Sequence, residues 1–301
     1  MNNREELKLG LIGVGKWGVN YLKTIQNIKG ARITSIACRD ITKNKDLSNK
    51  YELTTDWNKI LNCPQIDGVI ISTPPKTHYQ IAKEAIEKNK PIIIEKPMTL
   101  NSEDSKKLLF KALKKKTIVK VNHIYLYHPI YKVLKEYIKN STDLMSIYSL
   151  SGNFGPFRED VSPLWDWGPH DIAMCIDCID EKPLKIEAEF TKITSINKKN
   201  NIRIKLFFHK DKFAELNFGN LMMSKKRIFE VNLKSKSYIF NPIKYDYIKQ
   251  RINNNIKEIS DKRDFIDFYL NKSPLEMLLK SFINDIKNNK FDIKDLELGV
   301  K

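Results

Sequence analysis

The sequence predicts an α/β fold in two domains: a parallel sheet covered by helices, then an α+β half built on a mostly antiparallel, open sheet. Over about the first 120 residues, apolar runs typical of buried strands alternate with segments of helical periodicity. After residue 122 strand patterns dominate, and many alternate apolar with polar residues. A length of 301 residues suits two domains of ordinary size. We therefore expect one domain over residues 1–122 and a second over 123–301.

The first domain is predicted to contain five strands and four helices in alternation. The strands are expected at 7–14, 32–38, 67–72, 91–95 and 117–122. The helices are expected at 16–28, 44–53, 77–89 and 102–116. Because parallel strands are joined by crossover connections that are usually helical, this order predicts a parallel sheet with helices on both faces.

The second domain is predicted to begin with helices and to continue with strands. Helices are expected at 129–138 and 169–179, the latter with Pro169 at its first position and Gly168 as its cap. Strand patterns follow at 184–193, 202–209, 213–219, 227–233 and 237–242, and a late amphipathic helix at 273–289. The alternation predicts an antiparallel sheet with unequal faces.

Charge and composition argue against several classes of partner. The formal net charge is +17, but the lysines are spread along the chain without interleaved aromatics, so we expect no nucleic acid partner. A nucleic-acid-binding protein, the alternative, would be retained by DNA in a salt-sensitive way. No apolar run approaches the ~20 residues that cross a bilayer and no signal peptide is seen, so we expect no membrane partner and a cytoplasmic location. Among the four cysteines, Cys175 and Cys178 lie inside a helical stretch without a second pair, so we expect no metal site.

The segment "GVGKWG" follows the first strand and opens the first helix. Its glycines, Gly13, Gly15 and Gly18, have the G-x-G-x-x-G spacing that allows a tight turn, close approach of a pyrophosphate and close helix–strand packing. The helix N-terminus adds free N–H groups and a positive dipole end. We expect a dinucleotide here, with Lys16 and Trp17 beside it; the alternative is a glycine turn without a ligand.

The end of the second strand bears on which dinucleotide binds. An acidic residue there would bind the ribose hydroxyls of NAD, but the chain continues with Cys38, Arg39 and Asp40. A guanidinium at Arg39 could pair with a 2′-phosphate. We therefore expect NAD(P) as cofactor, with NADP favoured over NAD; the alternative is a solvated Arg39, with Asp40 binding the ribose.

Two further strand ends should face the same ligand, because ligands of open α/β sheets bind at the carboxyl ends of the strands. The segment "STPPKTH" places Thr73 and Pro74 against the cofactor and His78 one turn into the next helix. The segment "EKP" brings Glu95 and Lys96 to the same edge. A lysine beside a nicotinamide could donate hydrogen bonds to a hydroxyl or ketone. The alternative for Lys96 is an ordinary surface ion pair.

The second domain contributes "LWDWGPHDIAM", in which Asp166 and His170 are four residues apart. On a helix or helix-like turn they would share a face, and an Asp beside an imidazole prepares a general base. If the helix instead begins at Pro169, the shared-face argument weakens. The alternative is a capping Asp and a structural His.

The order G-x-G-x-x-G, T-P-x-x-x-H, E-K-P and D-x-G-x-H resembles the glucose–fructose oxidoreductase / inositol dehydrogenase (Gfo/Idh/MocA) family, over nearly the whole chain. The resemblance implies a Rossmann domain followed by a domain whose open sheet forms oligomer interfaces. It implies NAD(P)-dependent oxidation or reduction of a sugar, nucleotide sugar or cyclitol by a homo-oligomer, a dimer or tetramer. It places the catalytic trio on Lys96, Asp166 and His170.

The chain resembles one branch of that family in two segments, "VNHIYLYHP" and "GNFGPFREDVSPLWDWGPHD". By this resemblance His123, Tyr125, Arg158 and Trp167 are candidates for binding the substrate, although Ile124 stands where the branch has a threonine. The family's last helix would begin at "DLELGVK" and is cut short at Lys301. A non-catalytic NAD(P)-binding sensor or regulatory protein is the alternative function.

Overall fold

The computed structural model describes residues 6–157, 161–193, 200–244, 247–253, 255–259 and 272–300. The chain packs as two units. One is formed by the residues up to His123 together with those from Leu275 onward, and the other by Ile124–Pro274. Within the described ranges, no helix combines the length and the apolar character needed to cross a membrane.

The first unit is built on a six-stranded parallel sheet with the strand order β3-β2-β1-β4-β5-β6. Its strands are β1 (Leu7–Ile12), β2 (Ala31–Ala37), β3 (Glu52–Thr54), β4 (Gly68–Ile71), β5 (Ile92–Ile94) and β6 (Val119–Val121). Its first helices are α1 (Lys16–Ile25), α2 (Trp57–Asn62), α3 (His78–Glu87) and α4 (Ser102–Lys115). The central strands are buried throughout, as expected of a sheet covered on both faces. The order reverses between β1 and β4, so the fold has the switch point at which such sheets bind ligands.

The segment after β2 differs from the sequence prediction of a helix over 44–53. Residues Thr42–Asn49 form a 3₁₀ helix with non-helical backbone at Asn44, and Glu52–Thr54 form the added strand β3. The reason is local: "TKNKDLSN" has no apolar face to bury, so nothing in its packing favours an α-helix. The neighbouring α2 was also missed, although Asp56 caps it by accepting a 2.9 Å hydrogen bond from the Asn58 N–H.

Two C-terminal helices return to the first unit: α7 (Pro274–Lys287) and α8 (Lys294–Val300). A side chain at Gly68 would come within 2.9 Å of Ile286 and 3.1 Å of Phe282, so α7 packs directly on β4. The Lys120 ammonium on β6 lies 2.8 Å from Asp285 on α7 and 3.4 Å from Asp295 on α8. The boundary drawn from the sequence, which put residues 123–301 in one domain, therefore differs from the packing. The apolar face of a helix shows that it is buried but not against which sheet.

The second unit contains an eight-stranded sheet with the order β14-β13-β12-β11-β7-β10-β9-β8. Only the β7–β10 pair is parallel among the described pairs, which agrees with the predicted antiparallel character. Its strands are β7 (Leu144–Phe154), β8 (Lys185–Ile193), β9 (Asn200–Phe207), β10 (Phe213–Gly219), β11 (Leu221–Leu233), β12 (Ser237–Phe240), β13 (Ile248–Ile252) and β14 (Asn255–Ile259). Its helices are α5 (Pro129–Ile138) and α6 (Pro163–Ile179).

Helix α6 begins at Pro163, six residues before the predicted start at Pro169. The Ser162 carbonyl accepts hydrogen bonds from the backbone N–H groups of Trp165 and Asp166, both at 3.0 Å, which closes the first turn. Pro163 takes the first helical position, where the missing N–H of a proline costs nothing. Gly168 is thus inside the helix, where a side chain would approach the Phe218 ring on β10 to 3.0 Å. Asp166 and His170 therefore lie one turn apart on a single helix.

Candidate active site

The glycine loop has the backbone geometry that its spacing predicts. Gly13 has a φ of +98°, and a Cβ there would lie 2.6 Å from the Ser72 carbonyl oxygen. A Cβ at Gly18 would lie 2.2 Å from the Gly13 carbonyl oxygen, so α1 and the loop pack as closely as glycine allows. A Cβ at Gly15 would meet none of the described atoms within 4 Å. The backbone at the N-terminus of α1 is thus open to a ligand, as a pyrophosphate requires.

Buried polar atoms without partners lie at the same edge of the sheet. Ser72, after β4, and Asn122 and His123, after β6, each have such an atom among the described residues. The Ser72 hydroxyl lies 3.6 Å from the position that a Cβ of Gly18 would take, so it borders the glycine loop. Buried polar groups normally find partners, and those that do not point to a missing ligand or water. The donor and acceptor set of this edge fits a dinucleotide. Within it, Lys16 is exposed and Trp17 half-buried on the first turn of α1.

Arg39 and Asp40, which follow β2, have different environments. One Asp40 carboxylate oxygen accepts hydrogen bonds from the Thr42 hydroxyl at 2.6 Å, the Thr42 N–H at 3.0 Å and the Lys43 N–H at 3.3 Å. The Thr42 hydroxyl is the main cause of the lowered pKa of Asp40. Burial raises the pKa of the Cys38 thiol, which keeps it neutral. Arg39 is exposed, whereas the Asp40 side chain, 40% exposed, also lies 3.7 Å from the Lys43 ammonium.

His78 links the two loops that follow β4 and β5. Its imidazole is fully buried, with Nε2 at 2.8 Å from the Thr73 carbonyl oxygen and Nδ1 at 2.8 Å from that of Pro97. Burial lowers the pKa of His78. Both ring nitrogens thus face backbone carbonyls, so this histidine links the two loops, and its contact with the cofactor stays a prediction. Thr73 is half-buried and Pro74 exposed at the surface of the same loop.

Lys96 follows a fully hydrogen-bonded carboxylate. One oxygen of the buried Glu95 accepts from the Tyr21 hydroxyl at 2.9 Å and from the Asn122 amide at 2.6 Å. Burial raises the pKa of Glu95, and these two hydrogen bonds oppose that effect. Lys96 itself is half-buried, and the Lys96–Pro97 peptide bond is cis. The Glu95 side chain on one side and the Pro97 carbonyl, 2.8 Å from the His78 Nδ1, on the other hold the backbone around the lysine.

His123 lies near Lys96 in the same unit. It is 4% exposed, and neither ring nitrogen has a hydrogen-bond partner among the described residues. Burial, and then the positive charge of Lys96, lower its pKa to about 4. The ring is therefore neutral at physiological pH and offers one donor and one acceptor.

This depressed pKa makes the first unit less stable in mild acid. The unfolded chain binds a proton below a pKa of about 6.5, whereas folded His123 does so only near pH 4. The stabilisation is therefore complete above pH 6.5 and is lost as the pH falls towards 4. We expect this residue to account for about 2 kcal/mol of the loss between pH 7 and pH 5. Urea unfolding of the protein and of His123→Gln at both pH values measures it; an equal pH dependence of the two proteins would contradict the prediction.

The second group of predicted residues lies in the second unit, around α6. Asp166 is half-buried in its first turn, and the His170 ring, one turn later, is 8% exposed. The Tyr125 ring meets the His170 ring edge to face, with centroids 5.1 Å apart at 88°. Trp167, half-buried, lies on the same helix. Arg158 was also predicted to bind substrate; it lies outside the described residues.

Sequence reasoning missed Arg227 on β11. Its guanidinium lies 4.2 Å from the Tyr125 ring centroid and 5.8 Å from that of Trp167, and it pairs with Asp171 at 2.9 Å. A signal was present: in "RIFEVNL" the arginine occupies the same alternating register as the buried Phe229 and Val231. A charged residue in the inward register of a strand requires a buried partner. No group of three or more His, Cys, Asp and Glu side chains suited to a metal ion occurs in the described part of the chain.

Comparison with known proteins finds a family whose model matches part of the chain. Residues 7–123 match the GFO_IDH_MocA family, described as an oxidoreductase family with an NAD-binding Rossmann fold. The chain is 23% identical to a dTDP-3,4-didehydro-2,6-dideoxy-alpha-D-glucose 3-reductase of Saccharopolyspora spinosa, over 52% of this chain and 45% of that protein. It is 28% identical to a scyllo-inositol 2-dehydrogenase (NAD(+)) of Bacillus subtilis, over 58% and 51%. The matches thus span about half the length of these relatives.

Solved structures resemble the chain over almost all of its length. A UDP-N-acetylglucosamine 3-dehydrogenase from Acidithiobacillus ferrooxidans has a TM-score of 0.84 at 16% identity, covering 98% of this chain and 93% of that one. A mutant 3-ketoreductase from Actinomadura kijaniata, in complex with TDP-benzene and NADP, has a TM-score of 0.80 at 14% identity, covering 98% and 94%. At these identities the likeness establishes the fold, which agrees with the two-part architecture predicted from the sequence.

Proposed function

We propose that the chain is a member of the Gfo/Idh/MocA oxidoreductase family, whose model matches residues 7–123, and that it transfers hydride between NAD(P) and a sugar-like substrate. The reacting group is a hydroxyl or keto carbon of a sugar, nucleotide sugar or cyclitol. The observation that carries the proposal is the placement of Lys96 at the carboxyl end of β5, on the sheet edge that holds the glycine loop. Relatives named as a nucleotide-sugar reductase and an inositol dehydrogenase support this class of substrate.

Each catalytic candidate has a separate task in this proposal. The bound nicotinamide supplies or accepts the hydride. Lys96 donates a hydrogen bond to the reacting oxygen, which stabilises the charge that develops there. His170 takes the proton of a hydroxyl that is oxidised to a carbonyl, or returns it in the reverse direction. Asp166, one helical turn before His170, is proposed to orient the imidazole.

The residues proposed to bind the cofactor and the substrate also have separate roles. The backbone of Gly13, Gly15 and Gly18 holds the pyrophosphate at the N-terminus of α1. Lys16, Trp17, Thr73 and Pro74 border that position in the proposal. His123, held neutral by burial, and the half-buried Tyr125 and Trp167 are proposed to bind the substrate, together with Arg158.

We also propose a homo-oligomer, a dimer or tetramer, that uses the sheet of the second unit. The edge strand β8 leaves Ile186 60% and Phe190 58% exposed, and oligomer formation would remove such side chains from water. Light scattering of the purified protein over a hundredfold dilution tests this; a monomer throughout would exclude the proposal.

The enzymatic proposal is tested in two steps. Fluorescence titrations with NADPH and NADH measure cofactor binding, and a panel of sugars, nucleotide sugars and cyclitols is then screened for change in the absorbance of the reduced cofactor. Turnover of one member supports the proposal. Cofactor binding without turnover of any member favours a sensor, and failure of both cofactors to bind contradicts the proposal altogether.

We favour NADP over NAD as the cofactor, because Asp40 is engaged with Thr42 and Lys43 while Arg39 is exposed beside it. Arg39→Ala should therefore weaken NADPH binding by about 10–100-fold, the value of a charge-assisted hydrogen bond, and leave NADH binding unchanged. Arg32→Ala is the matched control, since Arg32 lies on β2, the strand that Arg39 follows, and pairs with Glu6 at 2.9 Å. An equal loss of affinity for NADPH and NADH would show that Arg39 does not recognise the 2′-phosphate.

A further inference from the structure

A buried ion pair joins β11 to α6 in the second unit. The Arg227 and Asp171 side chains are 2% and 0% exposed, and the Arg227 Nη1 lies 2.9 Å from the Asp171 Oδ1. The Ser151 hydroxyl, opposite Arg227 in the β7–β11 register, donates to the other Asp171 oxygen. Both oxygens of this carboxylate are therefore satisfied by groups from the sheet. A buried pair of this kind stabilises only when its geometry and remaining hydrogen bonds are complete.

The same guanidinium also faces an aromatic ring. Its central carbon lies 4.2 Å from the centroid of Tyr125, within the range of a cation–π contact. Arginine can do both because its planar group pairs along an edge and stacks with its face. A lysine ammonium has no such plane, so it could not reproduce both contacts.

The Tyr125 ring in turn packs against His170. Their centroids are 5.1 Å apart and their planes nearly perpendicular, the preferred edge-to-face arrangement of aromatic rings. Asp171, the partner of Arg227, directly follows His170 in α6. His170 is therefore held through its helix by the Asp171 pair and through its ring by Tyr125.

We propose that Arg227 is a positioning residue that, through Asp171 and the Tyr125 ring, fixes the orientation of the His170 imidazole. The inference rests on the proposed function, in which His170 exchanges the substrate proton. Displacement of a catalytic group by about 1 Å can lower a rate on the order of 10²-fold, so an orienting contact of this kind has a measurable effect. By this inference Tyr125 also orients His170, besides its proposed role in binding substrate.

Four variants separate orientation from stability. We expect Tyr125→Leu and Arg227→Met to lower kcat on the order of 10²-fold and Arg227→Lys about tenfold, with the affinity for NADPH unchanged. Tyr125→Phe, which keeps the ring, should retain a kcat at least about tenfold above that of Tyr125→Leu. The matched control is Arg251→Met, which removes another 2.9 Å arginine–carboxylate pair, with Glu230, from the same sheet.

A second measurement needs no substrate. The ring-proton NMR resonances of His170, assigned with His170→Gln, should move in Tyr125→Leu and Arg227→Lys and stay in place in Tyr125→Phe and Arg251→Met.

Resonances and kcat at wild-type values in both Tyr125→Leu and Arg227→Lys would overturn the inference. If the Arg227 variants unfold, Tyr125→Leu leaves the ion pair intact and decides the question alone. If the wild-type protein turns over no substrate, the proposed function fails, while the NMR measurement still tests the orienting contact.

Discussion

Lys96→Ala should lower kcat by on the order of 10²–10⁴-fold with the substrate found in the screen, while binding of NADPH is largely kept. The loss follows from removal of the ammonium that the proposal places on the reacting oxygen. The backbone on either side of Lys96 stays fixed, because Glu95 is held by Tyr21 and Asn122 and the Pro97 carbonyl by His78. The variant therefore removes the ammonium with little change in its surroundings.

Initial rates and fluorescence titration with NADPH measure the two quantities separately. Lys76→Ala is the control, because Lys76 is an exposed lysine at the end of the neighbouring strand and has no assigned role. Lys96→Arg keeps the positive charge but changes the shape of the donor, so it should recover little of the rate. Near wild-type turnover by Lys96→Ala would refute the catalytic assignment.

Lys120→Met should destabilise the first unit by about 3–5 kcal/mol, the usual cost of leaving a buried charge without its partner. Burial alone would lower the pKa of Lys120, but the charges of Asp295 and Asp285 outweigh it and raise the pKa. The ammonium is thus charged at neutral pH, and its stabilisation is lost only as the pH rises through this elevated pKa. Without it, the buried Asp285 and the partly buried Asp295 would lose the ammonium that they share.

Hydrogen exchange of peptides from residues 275–300 measures this effect locally, since the two units need not unfold together. Lys111→Met is the control: its 2.6 Å pair with Glu87 is partly exposed and should contribute less than about 1 kcal/mol. Adding Asp285→Asn and Asp295→Asn to Lys120→Met should restore part of the stability by removing the two negative charges that the ammonium offset. A loss no greater than that of Lys111→Met would show that the triad does not hold the helices to the sheet.

The features that the sequence predicted well are those encoded by neighbouring residues. Strand–helix alternation identified the parallel sheet, and the spacing of Gly13, Gly15 and Gly18 identified a loop whose glycines have the expected close contacts. The ends of β4 and β5 placed Thr73 and Lys96 on one edge because parallel strands end on the same side. These inferences need only local periodicity and the rules of sheet topology.

The features that the sequence did not predict depend on residues far apart in the chain. The partners of Arg227 are supplied by β7, α6 and the segment after residue 123, so no local pattern could identify its contacts. The start of α6 was misplaced because Pro163 and Pro169 are both acceptable first residues of a helix. The contact of the His78 ring with the Pro97 carbonyl was also not predictable, because only the fold brings the two together.

The return of α7 and α8 to the first sheet has a consequence during synthesis on the ribosome. The surface around Gly68 that Phe282 covers leaves the exit tunnel long before Phe282 does, because all of Ile124–Pro274 is translated in between. At about 5–20 residues per second this interval is on the order of ten seconds. The part of the first unit that is translated first therefore keeps an apolar surface uncovered until the second unit has been synthesised.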